Sequence, residues 1–248
     1  MLREMAITGA AVGLTAGAYA YSAMWPTSQI FGRTIVAGRD PSEIALTYDD
    51  GPNDPWTYRL LDVLAKKNVR ATFFFIGRFV RQRPQIARAV RDAGHLVGNH
   101  TMTHPLLVLR SPKRVRYELE ACNRALEDCL GQPVRYFRPP HGGRRPDVLA
   151  AARGLGLTPV MWNVTGHDWN ASHSEAINGR VKKGIAANRR HGRGSNILLH
   201  DGGQAGIGEN RSFTVTATEA LLESYAGTGF RFVTPEAWNS CLDVPFRR

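Results

Sequence analysis

Residues Ile44-Ala45-Leu46-Thr47-Tyr48-Asp49-Asp50-Gly51-Pro52 run a β-rich segment directly into two adjacent carboxylates, a glycine and a proline. Alone, an Asp-Asp-Gly-Pro string is an ordinary turn, because Asp and Gly suit turn positions and Pro stops a strand. Its weight comes from a second segment, His100-Thr101-Met102-Thr103-His104. Two histidines and one carboxylate leave coordination positions open, as a hydrolytic metal needs in order to hold water and substrate together. The spare aspartate is then a candidate base. At helical spacing both rings would share a face, but Pro105 pushes His104 away from helical geometry, and no Glu follows His100 as in the zincin motif. The pair therefore reads as a loop at the end of a strand.

Outward from this stretch, β-rich runs alternate with amphipathic ones. Seven strands are expected, at Ile44–Thr47, Thr72–Ile76, His95–Gly98, Val134–Phe137, Pro159–Asn163, Asn196–Leu199 and Phe230–Val233. Between them lie helical patterns such as Val115, Leu119, Cys122, Leu126 and Cys129, opened by Ser111 as cap and Pro112 in the first turn. Repeated βα units imply parallel strands with right-handed crossovers. Asp49, Asp50, His100, Arg138, Asp168 and His200 all fall just beyond the C-terminal end of an expected strand. In α/β barrels that rim carries the chemistry.

Three more segments complete a pattern: Phe137-Arg138-Pro139-Pro140-His141-Gly142, Trp162-Asn163-Val164-Thr165-Gly166-His167-Asp168-Trp169, and Ile197-Leu198-Leu199-His200-Asp201-Gly202. With the first two they occur in the order seen in polysaccharide deacetylases. From about Glu43 to Pro235 the chain resembles carbohydrate esterase family 4, the chitooligosaccharide deacetylase homology domain. The resemblance implies a distorted (β/α)7 barrel with its active site at the C-terminal ends of the strands. It also implies Asp50, His100 and His104 as metal ligands and Asp49 as general base. His200 would be the acid that protonates the departing amine, Arg138 would orient the base, and Asp168 would hold the catalytic histidine. The backbone N–H of His141 would supply an oxyanion contact, and Trp169 and Ile197 would enclose the acetyl methyl group.

Two positions depart from that pattern. His141 stands where Tyr or Phe is usual, and Thr165 where the Asp-x-x-Asp-Trp motif has its first Asp. Both bear on substrate preference more than on the hydrolytic step.

Composition sets the frame. A chain of 248 residues can bury one substantial core, and neither repeat nor linker divides it. The net charge of +11 arises wholly after Gly32 and favours an anionic setting such as cell-wall polymer or lipid headgroups. Basic residues gather at Arg78, Arg81, Arg83, Arg88 and Arg91, and at Arg180, Lys182, Lys183, Arg189, Arg190 and Arg193. They lack interleaved aromatics that would stack on bases, so solvated helix faces are expected and nucleic acid is not. Cys122 and Cys129, seven residues apart on one helix, stand roughly 10 Å apart and cannot bridge, which leaves pairing with Cys241 open.

No charge occurs between Met5 and Gly32. Met5–Met24 is long enough to cross a bilayer, and Ala18-Tyr19-Ala20 resembles a cleavage site, so residues 1–32 read as a signal peptide or membrane anchor. Residues 33–248 then form the catalytic domain, and the leader should be dispensable for folding. These readings converge on a metal-dependent hydrolase of the cell envelope that removes N-acetyl groups from a peptidoglycan or chitin-like glycan. Its ion is expected to be Zn²⁺ or a divalent substitute such as Co²⁺. The rivals are an O-acetyl esterase on xylan or another acetylated polysaccharide, a non-sugar C–N hydrolase, and a silent glycan-binding module.

Overall fold

The computed structural model describes residues 17–242. Alternation along the strands builds two cores. In β1 (Glu43–Asp49), Ile44, Leu46 and Tyr48 face outward against the helices, while Ala45, Thr47 and Asp49 face the barrel interior. The outer core continues with Phe73 and Phe75 of β2 (Thr72–Phe75) and with Ile197 and Leu199 of β7 (Ser195–His200). The inner core holds Ala45, Phe74, Tyr136, Val160 and Ile35, plugged at the bottom by the buried Trp238. Trp238 donates its indole N–H to Glu43 at 2.7 Å.

The sheet is wholly parallel, in the order β5-β4-β3-β2-β1-β7-β6, with β8 (Arg231–Val233) on the N-terminal part of β1. The other strands are β3 (Leu96–Asn99), β4 (Tyr136–Phe137), β5 (Thr158–Pro159) and β6 (Val164–Thr165). Around them lie α1 (Trp56–Lys66), α2 (Gly77–Gln82), α3 (Pro84–Asp92), α4 (Pro112–Leu130), α5 (Pro146–Gly154), α6 (Ser174–Arg190) and α7 (Ser212–Tyr225). This is the distorted (β/α)7 barrel. Ser111 caps α4 as expected, accepting from the Arg114 N–H at 3.3 Å. The basic residues of α6 lie on its exposed face, opposite buried Ile177, Val181 and Ile185.

One expected strand is broken. Pro159–Asn163 is not continuous: β5 pairs β4, β6 pairs β7, and the residues between them step across the open side of the barrel. Val160 O and Met161 O turn inward to accept from the Arg138 guanidinium, at 3.3 and 3.1 Å, and are lost to a ladder. Both edges of the sheet thus come from one stretch of chain.

The three cysteines are free thiols. Residues 1–16 lie outside the described residues, so most of Met5–Met24 does too. Residues 17–24 are helical, and among the described residues no helix is long and apolar enough to cross a membrane. Residues 22–28 pack against the barrel. Ser22, Ala23 and Ser28 are buried, and the Arg144 backbone N–H donates to Ala23 O at 2.9 Å. The Arg144 guanidinium donates to Trp25 O and Ser28 O, each at 2.7 Å, and Ile35 bridges Val160 in parallel. The folded body therefore reaches back to Ser22, because backbone carbonyls of this segment satisfy a buried guanidinium.

Candidate active site

Register brings the two ends of the constellation face to face. Asp49, the last residue of β1, pairs with His200, the last of β7, and both side chains point inward at the rim. Asp50 follows with φ 74°, so the chain turns through the left-handed region and the two carboxylates diverge. Thr101, His104, His141 and His167 also take positive φ. Left-handed non-glycine residues thus gather in the rim loops, where strain marks functional geometry.

The loop after β3 carries His100 and His104. Asn99 Oδ1 accepts from the Thr101 N–H at 2.8 Å, while buried Glu118 of α4 accepts from the Thr103 N–H at 2.8 Å and the Thr103 hydroxyl at 2.7 Å. These bonds hold His104 beside His100, with ring centroids 4.9 Å apart. His100 Nδ1–H donates to Arg138 O at 2.8 Å, which leaves Nε2 for a ligand.

Asp50 Oδ1 lies 3.4 Å from His100 Nε2 and 3.1 Å from His104 Nε2. It is buried and has no hydrogen-bond partner. A buried carboxylate oxygen facing two imidazole nitrogens without bonding either is what a tetrahedral divalent ion would satisfy. The three donor atoms lie within 4.8 Å of one another, and the mixed imidazole and carboxylate set suits Zn²⁺. Electrostatics agree. Burial depresses the His100 imidazole, but Asp49 and then Asp50 outweigh it and hold its pKa above the ordinary value. Burial raises the Asp50 carboxyl, yet the imidazoles around it hold it well below the usual range.

Asp49 is tied elsewhere. Arg138, fully buried, donates from Nη1 to Asp49 Oδ1 at 2.8 Å and to Thr47 Oγ1 at 2.7 Å, and its guanidinium lies 4.3 Å from the Phe74 ring centroid. Asp49 Oδ2 stays on the open side, 3.7 Å from His100 Nε2. Across the site, Asp168 Oδ1 accepts from His200 Nδ1 at 2.8 Å, and the Thr214 hydroxyl donates to Oδ2 at 2.8 Å. Burial lowers the His200 imidazole, but Asp168, then Asp50 and Asp49, raise its pKa to about 9.

A cavity of about 550 Å³ is lined by Asp49, Asp50, His100, His104, His141, Trp169 and His200, among others. The His141 ring packs edge-on to His104 with centroids 4.7 Å apart, and Trp169 sits edge-on to His200 at 5.2 Å. Ile197, expected beside the acetyl methyl group, does not reach the cavity. It is buried in the outer core, and Leu198 lines the cavity in its stead. A strand alternates faces, so Leu198 shares the inward face with His200 and Ile197 cannot.

Sequence reasoning missed other members. Glu118 had a sequence signal, a carboxylate on the buried stripe of α4 beside Leu119. Asp201 had only its place after His200. Its buried carboxyl accepts from the Thr57 hydroxyl at 2.5 Å, and burial, with Asp50 and Asp49, lifts its pKa to about 7.

Known proteins resemble this chain in sequence and in fold. The polysaccharide deacetylase family profile matches residues 37–160. A chitooligosaccharide deacetylase of Rhizobium leguminosarum bv. trifolii is 37% identical over 201 residues, 78% of this chain and 90% of that protein. A peptidoglycan-N-acetylglucosamine deacetylase of Bacillus cereus is 34% identical over 193 residues, 77% of this chain and 85% of its own length. The solved family 4 carbohydrate esterase of Streptomyces lividans, in complex with acetate, superposes with a TM-score of 0.67 at 31% identity, over 78% of this chain and 94% of that one. On this agreement of sequence and fold, the chain belongs to the polysaccharide deacetylase family.

Proposed function

We propose that the protein is a metal-dependent hydrolase that removes N-acetyl groups from an amino-sugar polymer or oligomer, peptidoglycan or chitin-like, at the cell envelope. The observation that carries this reading is the unpartnered, buried Asp50 Oδ1 between two imidazole nitrogens, with a second carboxylate held beside it by Arg138. Asp50, His100 and His104 would hold the ion, which when bound supplies Lewis acidity to the amide carbonyl and the attacking water. Asp49 Oδ2 takes the proton from that water as its oxygen bonds the carbonyl carbon. The His141 N–H steadies the charge that develops on the carbonyl oxygen. His200 Nε2 then gives its proton to the amine as the C–N bond breaks, and a carboxylic acid and a free amino sugar leave.

The rhizobial and Bacillus relatives support the glycan class, and the charge of +11 supports an anionic wall as the setting. The uncharged Met5–Met24 run supports export or anchoring by the N-terminal segment, ahead of the catalytic domain. Acetate release from chitooligosaccharides and from peptidoglycan fragments, with and without chelator, tests the activity. Absence of release with ion restored would end it. Fractionation of the full chain into the soluble cytosol with its N-terminus uncut would end the envelope assignment.

A further inference from the structure

Beside the candidate active site lies a second hollow, of about 350 Å³. The two share Trp162, Trp169 and Leu198, so they adjoin along one wall, the wall expected to meet the acyl methyl group. The outer wall of the second hollow is Trp25-Pro26-Thr27, held in place because the buried Arg144 guanidinium binds Trp25 O and Ser28 O at 2.7 Å. Gly142, at φ 70°, leaves the space that the Trp162 ring takes up: a Cβ there would stand 3.0 Å from the indole.

The chemistry of this hollow is apolar. Asn163 lines it, but its amide is spent within the protein, donating to Gly194 O at 3.0 Å and accepting from the Asn196 N–H at 2.8 Å. The Thr165 hydroxyl accepts from the His167 N–H at 3.3 Å. The His167 imidazole is at the exposed mouth, edge-on to Trp169. A sugar ring would bring several hydroxyls to a wall whose side-chain partners are the Thr27 and Thr165 hydroxyls and the His167 imidazole at the mouth, at a desolvation cost for the rest. An alkyl chain brings none.

We propose that this hollow is an acyl chamber, and that the enzyme removes N-acyl groups longer than acetyl, of about three to five carbons, from its amino-sugar substrate. The inference rests on the proposed hydrolase reading and deepens it. Leu198 and His200 share the inward face of β7 two residues apart, so the shared wall lies roughly 7 Å along the strand from the acid. The hollow adds about 350 Å³ beside that wall, more than a single methyl group fills. Thr165 lines the hollow from the strand side with a short side chain, and half-exposed Trp25 forms its outer wall.

The test compares kcat/KM for chitooligosaccharides carrying N-acetyl, N-propionyl and N-butyryl groups, read as released acid. Butyryl should be hydrolysed at least as efficiently as acetyl, with roughly a fourfold gain for each methylene buried. In Thr165→Phe, which fills the chamber, and separately in Trp25→Ala, which removes its outer apolar wall, the butyryl-to-acetyl ratio should fall about tenfold. Acetate release with butyryl more than a hundredfold slower in the unaltered protein would overturn the chamber and leave the hydrolase standing. An equal loss for every acyl length in Trp25→Ala, growing with oligomer length, would assign the hollow to sugar and overturn it too. No acid from any substrate would bring down both readings.

Discussion

Asp168 grips His200 with both carboxylate oxygens: Oδ1 accepts from the ring Nδ1–H and Oδ2 from the backbone N–H, each at 2.8 Å. The first bond fixes the tautomer and turns Nε2 toward the cavity. The second locks the end of β7, so ring and strand cannot move separately.

An acid must carry its proton, and a pKa near 9, against an ordinary 6.5, keeps His200 protonated through neutrality. The kcat of the proposed reaction should therefore hold through neutral pH and fall as pH rises through about 9. Asp168→Asn removes the main charge that opposes burial, so the alkaline limb should move down by at least about one unit. A pH profile of kcat reads this directly. An unmoved limb in the variant would remove His200 from the role of acid.

Division of labour between the adjacent carboxylates gives the next test. Asp49→Asn keeps a group that can meet the Arg138 guanidinium but cannot take a proton, so the ion should stay while turnover drops roughly 10²-fold or more. Asp50→Asn removes a ligand and should lose both. Metal analysis beside turnover separates them, and equal metal content in the two variants would show the roles to be wrongly divided.

Arg138 offers a stability test. Replacement by Met removes the guanidinium that Asp49 Oδ1 and Thr47 Oγ1 share and leaves that buried carboxylate oxygen without its partner, at a cost of about 3–5 kcal/mol. In a chain of this size that lowers Tm by roughly 10 °C. Asp49→Asn in the same protein removes the uncompensated charge and should restore part of the loss. If the double variant melts no higher than Arg138→Met, the ion pair is not what stabilises the inner core.

Most of the site was legible because its residues sit where strands end, and strand ends can be read from short motifs. Asp49, His100 and Arg138 needed no knowledge of packing. Ile197 against Leu198 did, since a run of three apolar residues does not reveal which parity faces inward, and the answer comes from pairing with β1. Arg144 and Asp201 were invisible for another reason. Their partners are backbone carbonyls and a hydroxyl far away in sequence, which leave no spacing to recognise. The break in Pro159–Asn163 belongs with them, because it is imposed by Arg138 drawing two carbonyls out of the ladder.

Gly51 is required by close approach. A Cβ there would land on the Asp201 carboxylate, which Thr57 pins and which has no room to swing. Gly51→Ala should cost about 1–3 kcal/mol and displace Asp50 next to it. Metal retention should fall with Tm. Wild-type metal content in a folded Gly51→Ala protein would show that the Asp50 loop tolerates movement.

The N-terminal segment can be tested by trimming at two points. A chain beginning at Ser22 keeps every carbonyl that Arg144 binds, whereas one beginning at Arg33 loses Ala23 O, Trp25 O and Ser28 O together. Burial already lowers the Arg144 pKa to about 10, a sign of how little water reaches the guanidinium. Water can enter once the segment is gone, so the penalty is smaller than for a sealed orphan charge: about 2–4 kcal/mol, counting the lost bonds and the uncovered apolar surface of Trp162 and its neighbours. Thermal unfolding of the two trimmed chains should differ by roughly 5–10 °C. Arg144→Met in the chain that begins at Ser22 should reproduce part of that difference, because the segment then loses its anchor while remaining attached. Equal melting of the two trimmed chains would mean that residues 22–32 rest on the barrel without stabilising it.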